Sequence, residues 1–306
     1  MKKIKLFLLM AALGVSVLTG CGNSKSDSAD NSNPKVAEES KDSKTEDKVA
    51  GKDEMTTAQD VVDDSMKPIS GDKIKDGTYS IDVASSSSMF KIVSCELTVK
   101  EGKMTAVMTM SGKGYLKLYM GTGEEAVDAS DDDYIPFVEN ENGEHTFTVP
   151  VEALDKAVDC TAFSKNKEKW YDRTLVFKAD KIPVDCLEDG VLTDVSSLNL
   201  EDGKYTADVS MTGGSGRAEI STPVAITVTD GKAVATIEWS SPNYDYMKVN
   251  EQKYLPANTE GNSIFEIPVE YFDWKISVIA DTVAMSEPHE IEYTLLFDSA
   301  SLQKAD

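Results

Sequence analysis

The 306-residue sequence predicts an all-β fold, on three observations. Short stretches of alternating apolar and polar residues recur, at 78–83, 225–228 and 233–239 among others; that period lines one face of a strand. Turn pairs separate them, with Glu101-Gly102 and Asp230-Gly231 each at a hairpin position. No long segment carries apolar residues at helical spacing. Several short strands at this spacing predict immunoglobulin-like β-sandwiches.

The chain opens on a basic Met1-Lys2-Lys3-Ile4-Lys5 and then runs apolar from 6 to 18. That run falls short of the roughly 20 residues a membrane-spanning helix needs, and it matches the apolar region of a secretory signal. It ends in Leu18-Thr19-Gly20-Cys21, which resembles a bacterial lipobox. The resemblance implies a signal peptide over 1–20 and an acylated Cys21 as the first mature residue. The lipid bilayer is then a partner through the acyl anchor, and the chain sits on the extracytoplasmic face of the bacterial cell membrane. Residues 22–55 are Ser, Asp, Asn, Lys and Glu with few apolar side chains. Such a segment buries too little surface to offset its ordering entropy. A disordered linker is therefore expected over 21–70, with a short helical turn near 55–66 ended by Pro68.

Lys and Arg number 31 against 54 Asp and Glu, a net charge of −23. Loss of Lys2, Lys3 and Lys5 with the signal takes the mature chain to −26. So acidic a chain lacks the basic footprint of nucleic-acid binding. It is also repelled by anionic headgroups, which leaves membrane contact to the acyl chains.

The folded part is duplicated. Asp-Gly-Thr-Tyr at 76–79 returns as Asp-Gly-Lys-Tyr at 202–205, and Leu97-Thr98-Val99 returns as Ile226-Thr227-Val228. Tyr134-Ile135-Pro136 answers to Tyr254-Leu255-Pro256, and Phe147-Thr148-Val149-Pro150 to Phe265-Glu266-Ile267-Pro268. Thr174-Leu175-Val176-Phe177 answers to Thr294-Leu295-Leu296-Phe297. The same order throughout places two tandem sandwiches at 71–188 and 196–306, each a comfortable single-domain length. Pro150 and Pro268 predict an edge strand or a strand end, since proline donates nothing to a ladder.

Chemistry is sparse. The two histidines are His145 and His289, and His145, after Asn142-Gly143-Glu144, is expected on a solvated hairpin flank. No nucleophile elbow, phosphate loop or HExxH is present, and no enzymatic activity is expected. Asp131-Asp132-Asp133 lacks the alternating ligand spacing of a calcium loop, so no metal site is expected there. Beyond Cys21 the cysteines are Cys95, Cys160 and Cys186. An exported chain permits a disulfide, with Cys95–Cys160 the preferred pair and three unpaired thiols the alternative. No CxxC spacing supports a zinc site. Met247 and Met285 fall in predicted loops or strand ends, with Trp239, Tyr244 and Tyr246 close to Met247 in sequence. Thioether sulfur is a soft ligand for haem iron, while methionine also serves as a flexible packing residue.

The Asp-Gly-Lys/Thr-Tyr opening, the Ser- or Gly-rich segment after it, the Val-x-Asp/Glu-Gly-Lys turn and the late Tyr293-Thr294-Leu295-Leu296-Phe297 strand together resemble the NEAT domains. These are immunoglobulin-like haem carriers of Gram-positive surfaces. The resemblance covers both repeats and implies haem as cofactor and a haem or iron importer as partner. It further implies that Ser88 and Met89, in the run 85–90, form a lip over haem, with Met120 close by. The family's Tyr-x-x-x-Tyr pair is missing, since the matching strand holds Trp170-Tyr171-Asp172-Arg173-Thr174-Leu175 in one repeat and His289-Glu290-Ile291-Glu292-Tyr293 in the other. A related streptococcal surface haemoprotein holds haem between two methionines, which favours Met247 and Met285 with Tyr244 and Tyr246 in the second repeat. The matching first-repeat positions are near Leu118 and Ser164. The alternative is a non-enzymatic interaction or adhesion module, with an exposed aromatic patch at Tyr244, Tyr246 and Tyr254.

Overall fold

The alternation in the sequence becomes four five-stranded antiparallel sheets. The structure is a computed structural model that describes residues 48–63, 66–284 and 287–305. The signal segment, Cys21 and Met285 lie outside the described residues.

The first repeat begins with β1 (Ile69–Ser70), β2 (Gly77–Ile81), β3 (Val83–Ser85) and β4 (Ile92–Lys100). It continues with β5 (Lys103–Met110), β6 (Tyr115–Tyr119), the short helix α1 (Gly123–Asp128), β7 (Ile135–Pro136) and β8 (Val138–Glu139). β9 (His145–Val151), β10 (Ala153–Leu154), β11 (Ala157–Ser164) and β12 (Trp170–Phe177) complete it. The second repeat runs through β13 (Gly203–Ala207), β14 (Val209–Gly213), β15 (Val224–Thr229), β16 (Lys232–Glu238) and β17 (Tyr244–Val249). It ends with β18 (Gln252–Tyr254), β19 (Ile264–Val269), β20 (Ile276–Thr282), β21 (His289–Phe297) and β22 (Gln303–Lys304).

Sheet order makes the duplication physical. β2-β4-β5-β9-β8 in the first repeat matches β13-β15-β16-β19 in the second, where β22 adds to the β13 edge. Likewise β3-β12-β11-β6-β7 matches β14-β21-β20-β17-β18. Alternate residues of facing sheets fill each interior. Cys95, Leu97 and Val99 meet Leu118, Ala162 and Leu175 in one core. Val224, Ile226 and Val228 share the other with Met247, Ala280 and Leu295.

Local signals act where the pattern places them. Glu101 and Gly102 have φ of 50° and 73°, and Asp230 and Gly231 have 50° and 71°. Two left-handed central residues twist a two-residue loop the way paired strands twist. The repeated tyrosine pins its own strand, with Tyr79 Oη donating to Lys75 O at 2.7 Å and Tyr205 Oη to Glu201 O at 2.9 Å. Pro268 lies on the edge strand β19, and Pro150 sits where β9 has lost its short partner β8, which pairs only with His145 and Thr146. Among the described residues no helix is long and apolar enough to cross a membrane.

Four expectations need correction. The linker does not reach residue 70 as free chain: Val49 bridges Trp170 in parallel, and β1 pairs with β10. No helical turn forms in the described part of 55–66; the nearest one is a 3-10 turn at Lys52–Glu54, just before it. The Cys95–Cys160 disulfide is absent and both thiols are free and buried. Each behaves as a small apolar core side chain, and burial pushes both thiols up to about 12. His145 is buried rather than solvated, with its ring stacked on Phe137 at 3.7 Å and Nδ1 3.3 Å from Tyr115 O.

Candidate functional site

In the second repeat the predicted haem residues divide between the two faces of a strand. Met247, on β17, is fully buried, and its sulfur accepts a hydrogen bond from Trp239 Nε1 at 3.4 Å. Tyr244 is buried too, stacked on Trp239 at 4.0 Å, with its hydroxyl 3.3 Å from Tyr293 Oη. That burial, together with Tyr293, raises the Tyr244 phenol above its ordinary range. Tyr246 turns the other way. It donates to Glu290 at 2.6 Å and carries Lys253 Nζ 3.4 Å above its ring, while Lys248 also bonds Glu290. Tyr254 packs half-buried against the second core, so the expected patch of three exposed tyrosines does not form. The strand register equates Met247 with Leu118, since these face Ala280 and Ala162 across matching pairs. Both are core positions, and the Met247 sulfur lies inside the second core against the Trp239 indole.

The first repeat differs at the same end. The segment 86–90 leaves β3 and is tied to β12, where Ser86 N donates to Thr174 O and Thr174 N to Ser86 Oγ, each at 2.9 Å. Phe90 N closes a turn on Ser87 O at 3.0 Å and sends its ring into the core. Ser88 and Met89 stand out at the crest, with Met89 68 % exposed. Opposite them is the open end of the β11–β12 hairpin. Ala162, a core residue, pairs with Tyr171, so Tyr171 faces inward at a point where the sandwich is no longer filled.

Between these elements lies a cleft of about 380 Å³. Met89, Tyr115 and Tyr171 line it, and Met55 does so from the segment before the first sandwich. That segment forms a wall of the site. Ala50 N donates to Trp170 O at 2.8 Å, Trp170 N donates to Lys48 O at 2.9 Å, and Gln59 N donates to Ser86 O at 2.8 Å. Glu54 bonds Lys169 Nζ at 2.8 Å, and this contact, with the Gly51 N–H, holds its carboxyl below the usual range. Burial lifts the Tyr171 phenol above its ordinary value, and the nearby Glu54 carboxylate adds to the shift. Met120 packs half-buried on the first core and does not line the cleft.

Two soft sulfurs and two phenols thus share one pocket of ligand-binding size, about 300–1,000 Å³. Sequence reasoning found Met89 through the serine run but missed Met55, Tyr115 and Tyr171. For Tyr171 a signal existed: it holds the first place of the Tyr-x-x-x-Tyr pattern, with Leu175 in the second. No group of three or more His, Cys, Asp or Glu that could hold a metal ion occurs among the described residues. No protein-family model matches the chain, and no curated protein matches it.

Proposed function

We propose that the chain is a membrane-anchored extracellular lipoprotein that binds haem, or a similarly flat iron compound, in the first-repeat cleft and passes it to an importer. One observation carries this reading: Met55, Met89, Tyr115 and Tyr171 converge on the same cleft. Thioether and phenolate are both established axial donors to haem iron, and haem when bound supplies that iron centre. Tyr171 and the two methionines are the groups able to hold it, and Tyr115 offers a ring face for a planar body. The second repeat does not fit, because Met247 is sealed and already accepts the Trp239 N–H.

The test is a hemin titration of the purified full chain, read by absorbance. A Soret band shifted from that of free hemin is expected, with affinity lowered at least tenfold in Met89→Ala or Tyr171→Phe. Met247→Ala should leave the spectrum unchanged while costing about 2–5 kcal/mol of stability in urea unfolding. A wild-type spectrum identical to free hemin sinks the proposal.

A further inference from the structure

Behind two walls of the cleft, Tyr115 and Tyr171, lies a buried cation that the fold leaves under-bonded. Arg173 is only 5 % exposed. Its guanidinium carbon sits 4.2 Å from the centre of the Phe90 ring and 4.8 Å from that of Tyr115. Nη2 donates to Tyr171 O at 2.5 Å, whereas Nε and Nη1 are buried with no hydrogen-bond partner. The rings and the thiol that pack on it are uncharged: Phe90 before β4, Tyr115 on β6, and Cys160 as its cross-strand partner on β11. The carboxylates of Asp159 and Asp172 lie beside this stretch of strand without bonding the guanidinium, and Asp172 accepts from Gly123 N at 2.6 Å. A guanidinium keeps its charge in proteins. Aromatic faces offset part of the burial cost, but they supply no acceptor for two N–H groups.

The second repeat shows that a sandwich does not need a cation here. Arg173 pairs with Cys160, and the equivalent Tyr293 pairs with Val278. Tyr293 is neutral and its hydroxyl is partnered by Tyr244 Oη. The same layer of the same fold is therefore filled without charge in one copy and with an under-bonded cation in the other. In the copy holding the cation, the residues against the guanidinium, Tyr115 and Tyr171, are themselves walls of the Met55–Met89 cleft, whereas the cavity of the second copy is lined at this layer by the neutral Tyr293.

We infer that Arg173 is the anchor for an acidic group on the cleft's ligand, whose carboxylate enters between Tyr115 and Tyr171 and accepts from Nε and Nη1. The ligand class is thus an aromatic or apolar body bearing an anion. This deepens the haem reading and rests on it only for the identity of the body; a porphyrin carboxylate meets the requirement, as does any flat organic acid.

Two matched pairs of probes test it on the full chain. The first compares hemin with its dimethyl ester, the same ring without carboxylates. The second compares 1-anilinonaphthalene-8-sulfonate with uncharged N-phenyl-1-naphthylamine, read by fluorescence. In each pair the wild type is expected to prefer the anion by on the order of tenfold or more, the scale of one charge-assisted hydrogen bond. Arg173→Gln should erase the preference by weakening the anion alone, and Arg173→Lys should restore part of it. Circular dichroism checks that each variant folds; should Arg173→Gln fail, the wild-type preferences and Arg173→Lys still decide. If the naphthalene pair obeys Arg173 while neither porphyrin binds, the haem reading falls and the anion site stands. Equal affinity for charged and uncharged members of both pairs in the wild type overturns the inference, as does a preference that Arg173→Gln leaves intact.

Discussion

At the scale of single residues, Met247 and Met89 show how little a residue type says without its environment. Both occur beside aromatic or polar neighbours in the sequence, and both have the thioether a haem ligand needs. Met247 alternates into a filled core and gives its lone pair to an indole, whereas Met89 stands largely exposed on a turn crest at the edge of the cleft. Periodicity alone did not separate them, because a strand bulge between Tyr244 and Tyr246 resets which side chains face inward. Tyr171 was hidden for a related reason: its partner Tyr115 lies 56 positions away, and only the β6–β11–β12 pairing brings them together. The raised Tyr171 phenol yields a prediction with a definite sign. A phenol that keeps its proton in the free protein must lose it to ligate iron, so binding releases a proton. Hemin affinity should therefore rise with pH from 6 to 9, by up to tenfold per unit if Tyr171 is the ligand. Tyr171→Phe should flatten the dependence. An affinity flat in pH for the wild type would assign the iron to the methionines instead.

The elements were more legible than the site. Turn pairs, the duplicated Asp-Gly-x-Tyr and the prolines at strand edges each act locally, and a local cause leaves a local signature. The segment 48–60 was not legible, because its order comes from partners far along the chain: Trp170, Lys169 and Ser86. Its composition is that of a solvated linker, and it holds mainly by main-chain bonds to Trp170 and Ser86 and the Lys169–Glu54 pair, with Ala50 its one buried apolar side chain. That makes it the most easily released wall of the cleft, since backbone bonds near a surface open at low free-energy cost. Ala50→Pro deletes the donor to Trp170 O and should loosen the segment without touching either core. The expected results are faster amide exchange at Trp170 and Gln59, an unchanged melting temperature within about 2 °C, and hemin affinity lowered three- to tenfold through misplacement of Met55. Unchanged exchange at Gln59 would show that the Ser86 contact alone keeps the wall in place.

Across the whole molecule, the two sandwiches have separate cores and meet at a contact that is part apolar and part charged. Trp274 from the second repeat packs half-buried against the first core, and Phe272 N donates to Thr193 O at 2.7 Å on the connecting segment. Two ion pairs flank the contact: Lys67–Asp273 at 2.8 Å and Lys275–Asp63 at 3.1 Å. The first is the better placed, because the Asp273 side chain is 10 % exposed and also receives Ser299 N and Oγ. Burial pushes the Asp273 carboxyl upward, yet the bonds from Lys67 and Ser299 outweigh it and hold the group below its ordinary 3.8. A depressed carboxylate stabilises the fold above its unfolded value and loses that contribution as pH falls through the folded one. The ion pair thus supports the contact at neutral pH and fails in acid, while the Trp274 packing is insensitive to pH. Calorimetry should separate the two. At pH 7 the wild type is expected to unfold in one transition. Trp274→Ala should cost about 1–3 kcal/mol, less than the roughly 3–5 of a fully buried aromatic, and split the transition in two. Lys67→Ala should leave one transition at pH 7 but reduce the acid sensitivity of the coupling between the sandwiches, with the Lys275–Asp63 pair supplying what remains. Two transitions in the wild type at pH 7 would mean that each sandwich melts alone and that the contact transmits nothing between them.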